Sequence, residues 1–264
     1  MDENVTILMT SCQAYSDILY IHDQLFQKYW HDCPFKKILV VDKYDQKVLG
    51  ESFYDEVIEA GDDAEGDCNG VRIVQGLRHI KTPYLILLQE DFLLYDHVDT
   101  ALILNLVKLA KKYHAGNIRF TVDPITEDQF SVKENLLEYK RGMAYRLSMQ
   151  AGLWKTKYLY KMFSKCKNGS EFERKGSFDS VKYEEPILAW GGVAYPYMNA
   201  IQKGKWLPHC VNIVQWNKLV PDFRRHSVMT NKDRFLNELK GYILSINPQA
   251  VVKIQNLLNF GKKY

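Results

Sequence analysis

The residues with chemical potential in this sequence gather at the ends of short apolar runs. Tyr84-Leu85-Ile86-Leu87-Leu88 leads directly into Gln89-Glu90-Asp91. Two adjacent carboxylates after five apolar residues are costly unless they stay solvated or meet a cation. Mg²⁺ or Mn²⁺ with a diphosphate meets that need, because such ions sit on one or two carboxylates plus phosphate oxygens. A solvated turn or a helix cap is the blander alternative. Thr10 and Ser11 end a second apolar run, and Asp42 follows a third, Ile38-Leu39-Val40-Val41. Another acidic pair, Glu184-Glu185, stands before Pro186, with Asp179 close by. Its ordinary reading is an acidic first helical turn favoured by the helix dipole. The stretch Asp222-Phe223-Arg224-Arg225-His226 has the charge to clamp a diphosphate, or else forms a solvated turn.

These residues need a scaffold, and the pattern around them supplies one. Val5–Ser11, Ile38–Val41, Tyr84–Leu88 and Ile118–Val122 read as buried strands, with a shorter one within Phe53–Ala60. Apolar residues at helical spacing mark Tyr15–Trp30, Asn69–Ile80 and Asp96–Tyr113. Strands and helices alternating in this way predict a mainly parallel sheet covered on both faces. In such a sheet ligands bind beyond the carboxyl ends of the strands, which is where Thr10-Ser11, Asp42 and Gln89-Glu90-Asp91 fall.

The second half is less regular. A strand is expected within Arg146–Trp154, a helix over Lys155–Phe163, and a polar loop or lid over Asn168–Ser177. Tyr183–Trp190 is expected to be a short helix with Pro186 in its first turn, and Lys205–Trp216 an extended segment. Two helices, about Lys232–Ser245 and Pro248–Phe260, close the chain. The expected organisation is one domain over 1–216, in two parts of about 1–125 and about 126–216. Residues 217–264 form a loop and helices packed on it. The last helix has basic residues and no acids after Pro248. It either packs on the domain or lies against an anionic membrane.

Composition narrows the classes. Of 264 residues, 46% are hydrophobic and 25% charged, which is ordinary for a globular domain. A net charge of +3 is too mild for a nucleic-acid binder. Five cysteines without a CxxC pair argue against a disulfide framework or zinc cluster. The acidic start Met1-Asp2-Glu3-Asn4 lacks signal-peptide features, and no apolar window reaches membrane-spanning length. A cytoplasmic location follows as the expectation, with the inner membrane face as the peripheral alternative. The sequon Asn168-Gly169-Ser170 would then be idle.

The order of elements resembles that of the GT-A glycosyltransferases, especially their family-2-like branch. That family opens with a strand, a helix and a second strand ending in Asp. A helix with a Gly and a basic residue then precedes an apolar strand ending in a DXD motif. Here the matching pieces are Val5–Ser11, Ile38–Asp42, Gly70-Val71-Arg72 and Tyr84–Asp91. The resemblance covers about 5–125 well and extends more loosely to about 216.

It implies a GT-A (Rossmann-like) α/β fold with a C-terminal helical extension. Thr10, Ser11 and Tyr15 would line the nucleobase pocket, Asp42 would contact base or ribose, and Arg72 would sit near ribose or phosphates. Asp91 takes the last DXD position and so would be the main Mn²⁺ or Mg²⁺ ligand. Gln89 stands where Asp is usual, and Glu90 becomes a ribose or metal contact. Family members often add a C-terminal His ligand, for which His226, or else His209, is available. Inverting members carry an acidic pair whose second carboxylate takes the acceptor proton. Glu185 matches it, with Glu184 and then Asp179 in reserve. Gln150 and Trp154, within Ser148–Trp154, and Trp190, beside Gly191-Gly192, would contact the acceptor sugar.

The implied function is sugar transfer from a nucleoside diphosphate sugar, a UDP-sugar favoured, to a glycan or lipid-linked hydroxyl in surface polysaccharide synthesis. Two rivals stand. A sugar nucleotidyltransferase shares such a sheet but carries a Gly-rich signature after its first strand, where this chain has Thr10-Ser11-Cys12-Gln13-Ala14. A catalytically silent nucleotide-sugar-binding module would account for Gln89.

Overall fold

A computed structural model of the chain describes residues 4–43, 53–61 and 69–233. Its centre is a nine-stranded sheet. The strands are β1 Val5–Thr10, β2 Lys36–Val41, β3 Glu56–Glu59, β4 Tyr84–Gln89, β6 Asn117–Arg119, β7 Gln129–Ser131, β8 Leu136–Glu138, β9 Gly152–Lys155 and β10 Ile187–Trp190. Their order is β3-β2-β1-β4-β9-β6-β10-β8-β7. Strands β3, β2, β1 and β4 are parallel, as are β6 and β10. Strand β9 runs antiparallel to both β4 and β6, so those two share a direction across it. This is an α/β architecture with a large, mostly parallel sheet flanked by helices, as the alternating apolar runs predicted.

Strand periodicity explains the two layers. Val5, Ile7 and Met9 face one side, with Leu19 and Phe26 of α1 (Ser16–Tyr29) and Ile103 and Leu106 of α3 (Thr100–Lys112). Leu8, Ile38 and Val40 face the other, against Ile73 and Leu77 of α2 (Asn69–His79) and Leu159 and Met162 of α4 (Thr156–Phe163). Burying each such side chain is worth about 1.5–3 kcal/mol. Helix α3 starts where Asp99 caps it, its Oδ1 accepting from the Leu102 amide at 3.0 Å. A third cluster joins Ile18, Ile21 and Leu25 to Trp206 and α5 (Pro208–Trp216).

Several expectations are corrected. Tyr183–Trp190 is not a helix: Ile187, Leu188 and Ala189 are fully buried, and β10 is paired with β6 and β8. Pro186 precedes the strand rather than opening a helical turn. Lys205–Trp216 is not extended throughout. After Lys205–Trp206 it becomes α5, with Pro208 in its first turn, where a missing amide costs nothing. Asn168–Ser177 is not a lid. It winds into short helical turns that include a π-helical stretch, Phe172–Gly176. Phe172 is fully buried, stacked 4.1 Å from Phe163 and edge-on to Trp154 at 5.7 Å.

The sequence pattern also hid several short strands. β5 (Phe92–Leu94) pairs with β11 (Tyr197–Asn199), and β12 (Ile201–Gln202) pairs with β13 (Lys205–Trp206). The two expected C-terminal helices lie, apart from residues 232–233, outside the described residues. No helix among the described residues is long and apolar enough to cross a membrane.

Candidate functional site

The carboxyl ends of β1, β2, β4, β6 and β10 share one edge of the sheet, together with the start of antiparallel β9. At that edge a cavity of about 380 Å³ is lined by Thr10, Cys12, Ala14 and Tyr15 after β1, Asn69 and Arg72 of α2, and Gln89 and Glu90 after β4. Four residues expected at the donor site, Thr10, Tyr15, Arg72 and Glu90, are thus brought together. The side-chain hydroxyls of Thr10 and Ser11 are buried and have no hydrogen-bond partner. A buried hydroxyl without a partner costs free energy, and of the two only Thr10 lines the cavity, while Ser11 lies behind it.

Asp42 works from behind the cavity. Its Oδ1 accepts from the amides of Gln13 and Lys43, each at 2.8 Å, and this fixes the loop between β1 and α1. Asn69 and Gly70 anchor the start of α2: the Gly169 amide donates to Asn69 Oδ1 at 2.9 Å, and the Gly70 amide donates to the Lys167 carbonyl at 3.0 Å.

Glu90, rather than Asp91, faces the cavity. Both are half-buried, and neither has an ion-pair partner among the described residues. Burial holds both carboxyls well above the usual range, and for Glu90 the charge of Asp91 adds to it. The same field reaches the cavity wall. The Cys12 thiol is pushed up to about 11 by burial and then by Glu90, and Tyr15 is raised by the same two causes in the same order. Arg72 acts in the other direction on Glu90. Asp91 turns toward the Ile201 amide, which helps stabilise its ionised form, and its carbonyl accepts from Ala200 at 2.8 Å.

Gln89 does work that an aspartate could not. Its side-chain amide donates to the Met149 carbonyl at 3.4 Å, where a carboxylate would face another acceptor. No group of three or more His, Cys, Asp or Glu side chains among the described residues is placed to hold a metal ion. His226 does not point at the carboxylates. Its Nε2 lies 3.1 Å from the Ala14 carbonyl and its Nδ1 3.3 Å from the Gly204 carbonyl, and its ring stacks on Tyr15 with centroids 4.6 Å apart.

The acceptor-side expectations divide. Gln150 lies at the correct edge, its Oε1 accepting from the Tyr197 hydroxyl. Trp190 ends β10 at the same edge and is half-buried. Trp154 belongs to the core: it is fully buried, paired with Leu85 of β4, and cannot touch an acceptor.

Glu184 and Glu185 are on the wrong side. They precede β10, so they sit at the amino ends of the parallel strands, opposite the cavity. Glu185 pairs there with Lys155 Nζ at 3.1 Å. Strand direction thus places both away from the edge that carries the cavity. Asp179 is bound to Lys182 at 2.8 Å.

The carboxylate the sequence reading missed is Glu173. Its Oε1 accepts from Ser148 Oγ at 3.1 Å and the Met149 amide at 2.9 Å, one peptide away from the carbonyl that holds Gln89. It also lines a cavity of about 440 Å³ with Met143, Ala144, Tyr145, Phe178 and Val181. Its only sequence signal was an acidic residue in a stretch that reads as a polar loop.

No protein-family model matches the chain, and no curated protein matches it. Solved structures are similar to it in fold. The bifunctional IspDF from Campylobacter jejuni is 12% identical, over 74% of this chain and 52% of its own, with a TM-score of 0.43. S. aureus TarS 1-349 is 13% identical, over 74% of this chain and 59% of its own, with a TM-score of 0.45. The galactosyltransferase LgtC in complex with donor and acceptor sugar analogs is 14% identical, over 85% of this chain and 84% of its own, with a TM-score of 0.40. The chain thus spans about half to three fifths of the first two.

Proposed function

We propose that the chain is a glycosyltransferase that moves a sugar from a nucleoside diphosphate sugar, a UDP-sugar by preference, to a hydroxyl of a glycan or lipid-linked acceptor. One observation carries this reading. A cavity at the carboxyl edge combines the Tyr15 ring, Thr10, the Arg72 guanidinium and the Glu90 carboxylate, with Asp91 next to it in the chain. Base and ribose suit Tyr15 and Thr10. The diphosphate suits Arg72.

Glu90, the carboxylate that faces the cavity and has no ion-pair partner among the described residues, would hold Mn²⁺ or Mg²⁺ together with the diphosphate oxygens, with Asp91 in support. Such an ion supplies charge neutralisation to the leaving diphosphate. His226 has no part in that ligand set.

The acceptor falls to the neighbouring cavity. A hydroxyl is a poor nucleophile, and a positioned carboxylate must take its proton as the new bond forms. Glu173 is on the cavity side of the sheet and is held by two hydrogen bonds through one oxygen. It replaces Glu185 in this role. Met143, Tyr145 and Phe178 offer faces for sugar C–H groups or an apolar aglycone.

Incubation with UDP-sugars and Mn²⁺ tests the reading. Slow release of free sugar and UDP without acceptor is expected, as water replaces the acceptor. Binding without turnover would mark a silent module. Pyrophosphate release from UTP and a sugar phosphate would mark a nucleotidyltransferase.

A further inference from the structure

Helix α1 begins beside the nucleotide cavity without a side-chain cap of its own. The loop ahead of it, Gln13–Tyr15, is a single 3₁₀ turn, and it contributes Ala14 and Tyr15 to the cavity wall. The carbonyls and hydroxyl of such a loop keep lone pairs open to donors from outside the helix. They are met from more than 200 residues away. Arg225 Nη1 donates to Ser16 Oγ at 3.0 Å, and Nη2 donates to the carbonyls of Gln13 at 2.8 Å and Ala14 at 2.9 Å. The same guanidinium lies 3.3 Å from the Asp17 carboxylate. His226 adds its contact with the Ala14 carbonyl and its stack on the Tyr15 ring, at an interplanar angle of 23°. Through Gly204 it ties the loop to the β12–β13 hairpin as well.

We propose that Arg225 and His226 are positioning residues: together they clamp the β1–α1 loop so that Tyr15 is presented to the nucleotide as a preformed platform. The proposal rests on the nucleotide reading of the cavity and specifies how that site is held. The fork of the guanidinium is what the role requires. It reaches a hydroxyl, two carbonyls and a carboxylate at once, which a lysine ammonium on its flexible stem cannot reproduce in the same geometry. The histidine ring stacks on one face of Tyr15, which leaves the tyrosine less room to swing away. The clamp acts on binding: a platform ordered in advance removes the entropy cost of ordering it around the ligand. This also explains why a histidine sits in this basic stretch, 3.6 Å from the Asp17 carboxylate, without reaching Glu90 or Asp91.

The experiment compares wild type with Arg225→Ala, Arg225→Lys, His226→Ala and His226→Phe. UDP binding is measured by calorimetry with Mn²⁺, and donor hydrolysis is followed as KM against kcat. Amide hydrogen exchange of residues 12–17 is measured without ligand. Arg225→Ala is expected to weaken UDP binding about tenfold and to raise KM with little change in kcat. It should also speed exchange in 12–17 while β4 stays protected. Arg225→Lys recovers only part of the loss. His226→Phe, which keeps the stack, retains more affinity than His226→Ala.

Unchanged affinity and unchanged exchange in Arg225→Ala overturn the clamp. So does a loss of kcat alone. If wild type binds no nucleotide, the reading of the cavity fails by that result, and the exchange comparison still decides whether the clamp exists.

Discussion

At the scale of single residues the account turns on Glu90 and Asp91. An acid whose folded-state pKa lies above its unfolded value binds more protons in the folded chain between the two values. Stability therefore falls as pH rises through that window. Free carboxylates ionise near pH 4, and both residues are raised well above that by burial. The ligand-free protein is therefore expected to lose stability from about pH 4 toward neutrality. Glu90→Gln should raise Tm at pH 8, by about 2–4 °C for each kcal/mol relieved, and flatten the pH dependence. Denaturation scans from pH 5 to 8 measure both.

The second prediction at this scale separates two carboxylates. Glu173→Gln should lower acceptor-dependent kcat about 10²–10⁴-fold while UDP binding is unchanged. Glu185→Gln should leave transfer at the wild-type rate. The opposite pattern in initial-rate assays would return the base to the amino edge of the sheet. Thr10, Tyr15, Arg72 and Glu90 were legible because each sits at a fixed offset from an unmistakable buried strand or from a helix start. Glu185 misled because the acidic pair before Pro186 fits a helix start as well as it fits the entry to a strand. Only pairing with β6 and β8 decides between them.

At the scale of elements the start of α2 is the exacting point. A Cβ on Gly70 would lie 2.4 Å from the Lys167 carbonyl oxygen, and that backbone cannot move without losing its bond to the Gly70 amide. Gly70→Ala should cost about 1–3 kcal/mol, as overpacking does, and should weaken UDP binding because Arg72 rides on the same turn. Denaturant melts together with calorimetry test this. Trp154 gives the complementary case. Trp154→Ala should cost about 3–5 kcal/mol, whereas Trp154→Phe should keep the acceptor KM, since the ring packs on Phe172 and touches no ligand.

Elements were legible in proportion to their length and uniformity. β1, β2 and β4 are continuous apolar runs of full strand length, and α1 and α3 carry a clear apolar stripe. β5, β7, β8 and β11 have three residues each, too few for any period to show. The run Pro208–Trp216 resembles a strand in composition, and its helix depends on a proline start and on packing against α1.

At the scale of the molecule the sheet accounts for the arrangement. Parallel strands bring residues 10, 72 and 90 to one edge although the chain between them is long. The antiparallel β9 then delivers Ser148–Ala151, and with them Glu173, to the same edge beside Gln89. The two halves of the chain are therefore parts of one sheet, joined by the pairing of β9 with β4 and β6 and by the hydrogen bond from Gln89 to Met149. The segment at 225–226 packs on the loop that carries Ala14 and Tyr15 into the cavity wall.

The most direct test is a nucleotide titration followed by thermal melting, with and without Mn²⁺, on wild type and on a Glu90→Gln, Asp91→Asn double variant. Saturating UDP at 100 times its Kd should stabilise wild type by about 2.7 kcal/mol, with more gained when Mn²⁺ is present. The double variant should lose the Mn²⁺ increment. A wild-type melting temperature that no nucleotide raises would contradict the account.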